Sequence, residues 1–363
     1  MIRISGNLLE GGGQIVRTSV ALAALTGEEV HLDKIRDKRP VPGLQAQHVT
    51  AVNALAALCN AETNGVELGS REIEFKPRNR SAGKFSFNVG TAGSVPLILQ
   101  ALMPCATFAP GRVELDLTGG TDVRWSPTID YLRLVVMPTL QLMGYDASIQ
   151  VLRRGHYPKG GGHVRTIVEP QPSLTAIKLI ERGEPLGVDG ISHCVKLPSH
   201  VAQRQAASAE KTLAAAGQRN VKIDLETYPS NQDPHIAAGS GITLNMKFSN
   251  GSVIGGDSIG ERGKPAEKVG EEAALKLLKE IESNAAVDLH LADILIPYLT
   301  VAKGRSEIAV SQITLHTLTN IQVAEMIAGV KFDVEGKLNS QGRISVNGLG
   351  LENSHKPSSE VEP

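Results

Sequence analysis

Five groups of residues carry side chains suited to chemistry on charged substrates. The first is Glu10-Gly-Gly-Gly-Gln14-Ile-Val-Arg17. Glycines ahead of a helix let backbone N–H groups converge on an anion, and the helix N-terminus adds a favourable field. Arg17 stands one turn into that helix and can reach the same anion. Glu10, at the loop entry, can hold a divalent metal on a polyphosphate. No Gly-Lys-Ser/Thr follows, and the dinucleotide glycine fingerprint is absent, so neither familiar phosphate motif applies. A tight loop with Arg17 in a surface ion pair accounts for the same residues equally well.

The second group runs from Lys34 to His48, with Lys34, Arg36, Lys38 and Arg39 inside six residues and Gln45, Gln47 and His48 on the helix that follows. Arginine forks grip phosphate oxygens, although one such cluster alone more often marks a solvated loop. The third is Ser311 to Gln322, with His316 placed in the turn before a helix predicted over 320–328 and Thr319 and Gln322 at capping-box spacing. An unprotonated imidazole is a good nucleophile near neutral pH, while a lone histidine is more often structural. Gln100 lies in an otherwise apolar helix, where its amide either meets a purine edge or faces water. His290-Leu291-Ala292-Asp293 precedes Ile294 and an apolar run; Asp293 is either a helix N-terminal charge or part of a nucleotide pocket. The other nine histidines show no paired or Cys/His spacing, so no zinc enzyme is expected.

The elements that must carry these groups alternate in a regular way. Helices are predicted over 15–25, 44–59, 96–106 and 127–143, and strands over 1–4, 30–35, 85–89, 112–117, 147–152 and 163–169. Strand–loop–helix units with glycine-rich entries recur every 80–90 residues or so, a repeated α/β pattern. Residues 183–283 differ in texture, with a polar helix over 201–216, strands over 223–227 and 241–248 expected to pair, and a charged helix over 264–281; an inserted domain is expected there. A helix over 289–302 and strands over 307–315, 330–334 and 343–346 return to the first pattern, and the polar tail 348–363 is expected to be disordered.

The chain has 363 residues, a formal net charge of −1 and 12 aromatic residues against 37 glycines. The core must therefore be aliphatic, and bulk positive charge for coating nucleic acid or membrane is excluded. Three widely spaced cysteines with no CxxC pair suit a reducing compartment, and neither a disulfide framework nor a structural zinc site is expected. With no apolar run long enough to span a bilayer and no signal-like start, a cytoplasmic location without membrane contact is expected.

Taken in order, Glu10 to Arg17, Arg36 to Leu44 with Gln47-His48, Gly119-Gly-Thr-Asp122, Tyr157-Pro-Lys-Gly-Gly-Gly162 and His316-Thr-Leu-Thr-Asn320 closely resemble the RNA 3'-terminal phosphate cyclase family, its archaeal members in particular, over residues 3–347. The resemblance implies an α/β (α+β) fold of three βαβαββ repeats, like the C-terminal domain of a translation initiation factor. A smaller thioredoxin-like domain, residues 183–283, would interrupt a body formed by 1–182 and 284–347. It also implies ATP-dependent conversion of an RNA 3'-terminal phosphate to a 2',3'-cyclic phosphate through histidyl-AMP and RNA-adenylate, with a divalent metal (Mg or Mn) and release of AMP and pyrophosphate. His316 matches the nucleophile and Glu10 the metal ligand. Gln14, Arg17, Arg36, Arg39, Gln47 and His48 match positions near the polyphosphate or the RNA end, and Gln100 with His290, Leu291, Ala292, Asp293 and Ile294 matches the adenosine pocket. Family members often carry an aromatic residue where His290 stands and a glutamine where Ile294 stands, which leaves the individual adenine contacts open.

The partner implied is an RNA 3' end bearing a phosphate; a homo-oligomer is left open. Cyclase-like ribosome-biogenesis proteins share the architecture without the nucleophile, and the intact His316 motif argues against that alternative. Enolpyruvyl transferases of similar repeated build have no clear use for His316 or for the 36–48 block. An RNA-binding module without catalysis would need more aromatic residues for stacking.

Overall fold

The computed structural model describes residues 1–355. The chain begins with β1 (Ile2–Ser5), α1 (Gly13–Thr26), β2 (Val30–Asp33), α2 (Ala46–Leu58), β3 (Glu62–Asn64) and β4 (Ile73–Lys76), whose strands form a sheet in the order β1-β2-β4-β3. It continues with β5 (Gly83–Asn88), α3 (Val95–Ala106), β6 (Val113–Gly119) and a helical run made of α4 (Ile129–Tyr131), a π turn (Leu132–Val136) and α5 (Met137–Gln141). Next come β7 (Asp146–Arg153) and β8 (Gly162–Glu169), giving a sheet β5-β6-β8-β7. After the short β9 (Lys178–Leu179) come β10 (Pro185–Val195), α6 (His200–Ala215), β11 (Val221–Glu226), β12 (Gly239–Phe248), β13 (Val253–Ile259) and α7 (Ala266–Ser283), with sheet order β11-β10-β12-β13. The chain then supplies α8 (Leu289–Val301), β14 (Arg305–Val310), α9 (Leu315–Ala328), β15 (Phe332–Gly336) and β16 (Gly342–Asn347), which join β9 in a sheet β15-β16-β14-β9.

The strands show why these segments form one-faced sheets. Along β8, GHVRTIVE, buried and partly exposed residues alternate strictly, which puts one apolar face on the helices. By contrast, α1 buries eleven of its fourteen residues, because α2, α3 and α9 pack around it. Its C-terminus stops at Gly27, whose φ of 80° makes a left-handed cap. One aliphatic core runs from Ile4 to Val346 through all three outer sheets and their helices. A separate core, built on Ile242, Leu244, Ile254 and Leu277, belongs to the β10–α7 segment.

Three expectations are corrected. The helix carrying His316 begins at Leu315, not 320: Thr314 is its N-cap, accepting from Thr317 N, and Thr319 lies inside it, donating to Leu315 O at 2.6 Å. Capping-box spacing at 319–322 was coincidental because Thr314 offers an equivalent hydroxyl one turn earlier. The strands β11 and β12 do not pair with each other; each pairs with β10, an 11-residue strand that the sequence pattern did not reveal. The tail expected to be disordered is tied down through residue 353: Leu349 N and Leu351 N bond to Thr300 O and Val301 O, and buried Asn353 donates to Ala109 O at 2.9 Å. These are backbone and single-amide contacts, which leave no hydrophobic period to read. Residues 356–363 of that tail lie outside the described residues.

Candidate active site

The N-termini of α1 and α9 meet, and the contact is polar. Asn320, one turn after His316, donates from Nδ2 to Asp293 O at 2.9 Å, so its Oδ1 must accept. It accepts from Thr18 Oγ1 at 2.7 Å and from Gln14 Nε2 at 3.1 Å, and the same Gln14 nitrogen donates to His316 O at 2.7 Å. With Gln14 Nε2 committed as donor, Gln14 Oε1 accepts, and it faces His316 Nδ1 in a short contact. The chain of donors thus assigns the proton to Nδ1 and leaves a lone pair on Nε2. Half of the His316 side chain remains exposed.

Asp293 supports the histidine from beneath. Its Oδ1 accepts from Thr317 Oγ1 at 2.5 Å and Thr314 Oγ1 at 3.0 Å, which fixes the first turn of α9 against α8. Burial lowers the His316 pKa from the ordinary histidine value; the Asp293 carboxylate opposes this, and Arg17 and Arg39 add to it. The imidazole is therefore neutral near pH 7. Burial raises the Asp293 carboxyl pKa, and the Thr317 bond draws it back.

The glycine loop supplies the charged side of the site. Gly12 is the N-cap of α1 and brings no side chain to its amides, so their donors remain free for an anion. Arg17 is half-buried and has no ion-pair or hydrogen-bond partner among the described residues; burial pulls its pKa down to about 10. Glu10 pairs with Arg39 through Oε1, while its Oε2 is buried without a hydrogen-bond partner among the described residues, 3.7 Å from His316 Nδ1. An orphaned, deeply placed carboxylate oxygen beside a phosphate-type loop fits a divalent cation ligand. His48 is buried against Gly13, with Nδ1 accepting from Gln45 N at 3.0 Å. Burial, then Arg17 and Arg36, depress it to about 3, so it stays neutral.

The remaining residues fall in different places. Arg36 Nη1 donates to Val41 O and Gly43 O at 2.7 and 2.8 Å, which makes it a clamp on its own loop. Gln47 Oε1 accepts from Ser94 N at 2.9 Å, linking α2 to the start of α3. Gln100 is half-buried without a hydrogen-bond partner among the described residues. His290 stacks edge-on to Tyr131 at 6.2 Å and lies near enough to bias both Asp293 and His316. Leu291 and Ala292 are fully buried in the aliphatic core, and Ile294 is half-buried against it. Asp293 is not the opening acid of α8; Asp288 caps that helix, accepting from His290 N and Leu291 N. Sequence reasoning missed Thr18, Thr314 and Thr317. The signal was available in their spacing, since Thr18 follows Gln14 by one turn and Thr314 and Thr317 bracket His316.

Residues 8–334 match the family described as RTC: RNA 3'-terminal phosphate cyclase. The chain is 50% identical to the RNA 3'-terminal phosphate cyclase of Ignicoccus hospitalis, over 96% of this chain and 99% of that protein. It is 49% identical to the one from Hyperthermus butylicus, over 99% and 100%. Among solved structures, the enolpyruvyl transferase NikO from Streptomyces tendae aligns with 98% of this chain and 50% of its own at a TM-score of 0.36 and 11% identity, too weak a likeness to carry an argument. A family match over nine-tenths of the length, with relatives about half identical from end to end, means that the chain belongs to the RNA 3'-terminal phosphate cyclase family.

Proposed function

We propose that the α1–α9 junction converts an RNA 3'-terminal phosphate to a 2',3'-cyclic phosphate at the expense of ATP, with His316 Nε2 as the nucleophile. The observation that carries this reading is the donor chain from Asp293 O through Asn320 and Gln14 to His316 Nδ1, which leaves Nε2 unprotonated on a half-exposed side chain. In the first step Nε2 bonds to the α-phosphorus of ATP and the bond to pyrophosphate breaks. In the second, an oxygen of the RNA 3'-phosphate takes the adenylyl group and frees the histidine. In the third, the neighbouring 2'-OH attacks the 3'-phosphorus, loses its proton and expels AMP. Activation is needed because a phosphate monoester dianion repels nucleophiles and lacks a leaving group.

The side chains divide this work by position. The free amides at the start of α1 and the unpartnered Arg17 guanidinium receive phosphate oxygens, where developing charge is stabilised without reorganisation. Arg39 is a further cation at the same edge, held by Glu10. A divalent metal, bound by Glu10 through the free Oε2, would supply charge neutralisation on the polyphosphate. Gln14 orients His316, and Asp293 with Thr314 and Thr317 fixes the helix turn beneath it. His48 and Gln47 act as supports of the loop and of α3, and His290, Gln100 and Ile294 face the adenosine side in this reading. The finer fold reading belongs here too. Three sheets sharing one strand order support three βαβαββ repeats, and the parallel-then-antiparallel sheet of the β10–α7 segment supports a thioredoxin-like insert. Among the described residues no helix is long and apolar enough to cross a membrane.

Incubation with α-labelled ATP and Mg or Mn should label the wild-type chain through an acid-labile, base-stable P–N bond and leave His316→Ala unlabelled. An unlabelled wild type, or equal labelling of the variant, overturns the reading and favours a cyclase-like protein without catalysis.

A further inference from the structure

Away from the α1–α9 junction, a second cluster of ligand-type atoms lies where the β10–α7 segment meets the second sheet. Asp122 follows β6, His156 lies between β7 and β8, and His193 lies on β10. Their ligand atoms all fall within 4.8 Å of one another, and all three side chains are more than nine-tenths buried. Across the three residues, four buried atoms, Asp122 Oδ1, His156 Nε2 and both ring nitrogens of His193, have no hydrogen-bond partner among the described residues. Buried polar atoms are rarely left so, and four in one place call for an occupant.

Two further features make this a built site. The imidazoles rest on glycines of β12: a Cβ at Gly239 would overlap the His156 ring, and one at Gly241 would lie 2.9 Å from His193 Cε1. The surrounding charge is also short of positive. Arg154, fully buried, bonds Asp122 at 3.3 Å, Asp130 at 2.7 Å and Glu226 at 2.6 Å, and Arg133 reaches Asp130 at 2.8 Å. Two guanidinium groups against three carboxylates leave one negative charge in excess, with Asp122, Asp130 and Arg154 buried and only Arg133 and Glu226 partly open to water.

We infer that Asp122, His156 and His193 form a structural site for a zinc-type divalent cation that pins the β10–α7 segment to the second sheet. Two imidazoles and one carboxylate are a borderline donor set that suits zinc better than magnesium or calcium. Water would complete the coordination. A modest closure of the three ligands meets the ordinary zinc distances of about 2.0–2.2 Å. The site shares no residue with the Glu10–His316 junction, so its occupancy is separable from catalysis.

The test uses the full chain stripped with chelator and dialysed against micromolar zinc. The expected result is one zinc per chain for wild type and for Glu10→Gln, and none for His156→Gln or His193→Gln. Zinc, but not magnesium, should also raise the thermal midpoint of wild type, and cobalt loading should give the visible absorption of a four-coordinate N/O site. Should the glutamine variants fail to fold, the wild-type stoichiometry, midpoint shift and cobalt spectrum still decide. Absence of stoichiometric zinc in wild type, or its retention in the folded histidine variants, overturns the inference.

Discussion

The closest fit between the glycine loop and its support is Gly13 against His48. A Cβ on Gly13 would overlap Nε2 of the His48 ring and lie 2.8 and 3.0 Å from Cε1 and Cδ2. The ring must retreat by roughly 1 Å to restore ordinary contact distances. It is buried and anchored through Nδ1 to Gln45 N at 3.0 Å, so retreat strains or breaks that bond. Overpacking of this kind costs about 1–3 kcal/mol, and one lost hydrogen bond about 1 kcal/mol within it. Gly13 has no positive φ, so alanine meets no backbone penalty, and its better helix propensity offsets up to about 1 kcal/mol. The expected net loss for Gly13→Ala is therefore about 1–2 kcal/mol. Removing the ring removes the clash: in a His48→Ala background, Gly13→Ala should cost nothing or stabilise slightly. Urea unfolding of the wild type, both single variants and the double variant closes the cycle, with an expected coupling of at least about 1 kcal/mol. Self-adenylation of Gly13→Ala should slow as well, because the displaced ring shifts the free amides of α1. Additive stability losses would refute the steric argument and leave the Gly13–His48 contact without consequence.

Three more outcomes follow from the same geometry. Gln14→Ala should slow self-adenylation roughly tenfold, the value of one hydrogen bond of about 1–1.5 kcal/mol to the imidazole, and should also lower the thermal midpoint, because the two bonds from Nε2 to His316 O and Asn320 Oδ1 go with it; an unchanged rate in the folded variant would remove Gln14 from the orienting role. Because burial lowers the His316 pKa, the neutral nucleophile persists into more acid solution, and the pH profile of self-adenylation should fall off below 6.5; a midpoint above 6.5 contradicts the burial argument. Glu280 in α7 is buried, and burial, then Asp288, raise its carboxyl pKa to about 7 from 4.5. The folded chain then holds a proton that the unfolded chain has lost, so stability declines as pH rises from about 4.5 to 7 and stays lowered above. Glu280→Gln should abolish this slope and gain about 2–4 kcal/mol at pH 8 relative to pH 5, read as denaturation midpoints at the two pH values; equal pH dependence in both proteins counts against it.

Most helices and the strands with a strong apolar period are legible within a few residues from the chain alone. The helix predicted over 96–106 is α3 at Val95–Ala106, and that over 289–302 is α8 at Leu289–Val301. Short or mixed strands such as β3, β4 and β13 are not: β3 and β13 lack clean alternation, and β4 alternates over only four residues, which is too little signal. The glycine loop, the His316 motif and the arginine block are local patterns, so their residue types and order could be read directly and were enough to place the family. What the arginines do was not readable. Arg36 spends donors on its own loop, Arg39 is held by Glu10, and Arg17 has no partner among the described residues, a distribution set by where the backbone brings carbonyls and carboxylates.

The same limit separates the two sites. Gln14 and His316 stand 302 residues apart, and the bond that assigns the histidine proton exists only because α1 and α9 pack end to end. Asp122, His156 and His193 have no common spacing at all; they converge because β10 lies beside the loops of another sheet. A side chain's type and its neighbours along the chain establish what chemistry it is capable of. Its protonation, its partners and whether a cation can find it depend on atoms brought in from distant segments, and those are determined by packing of the whole core.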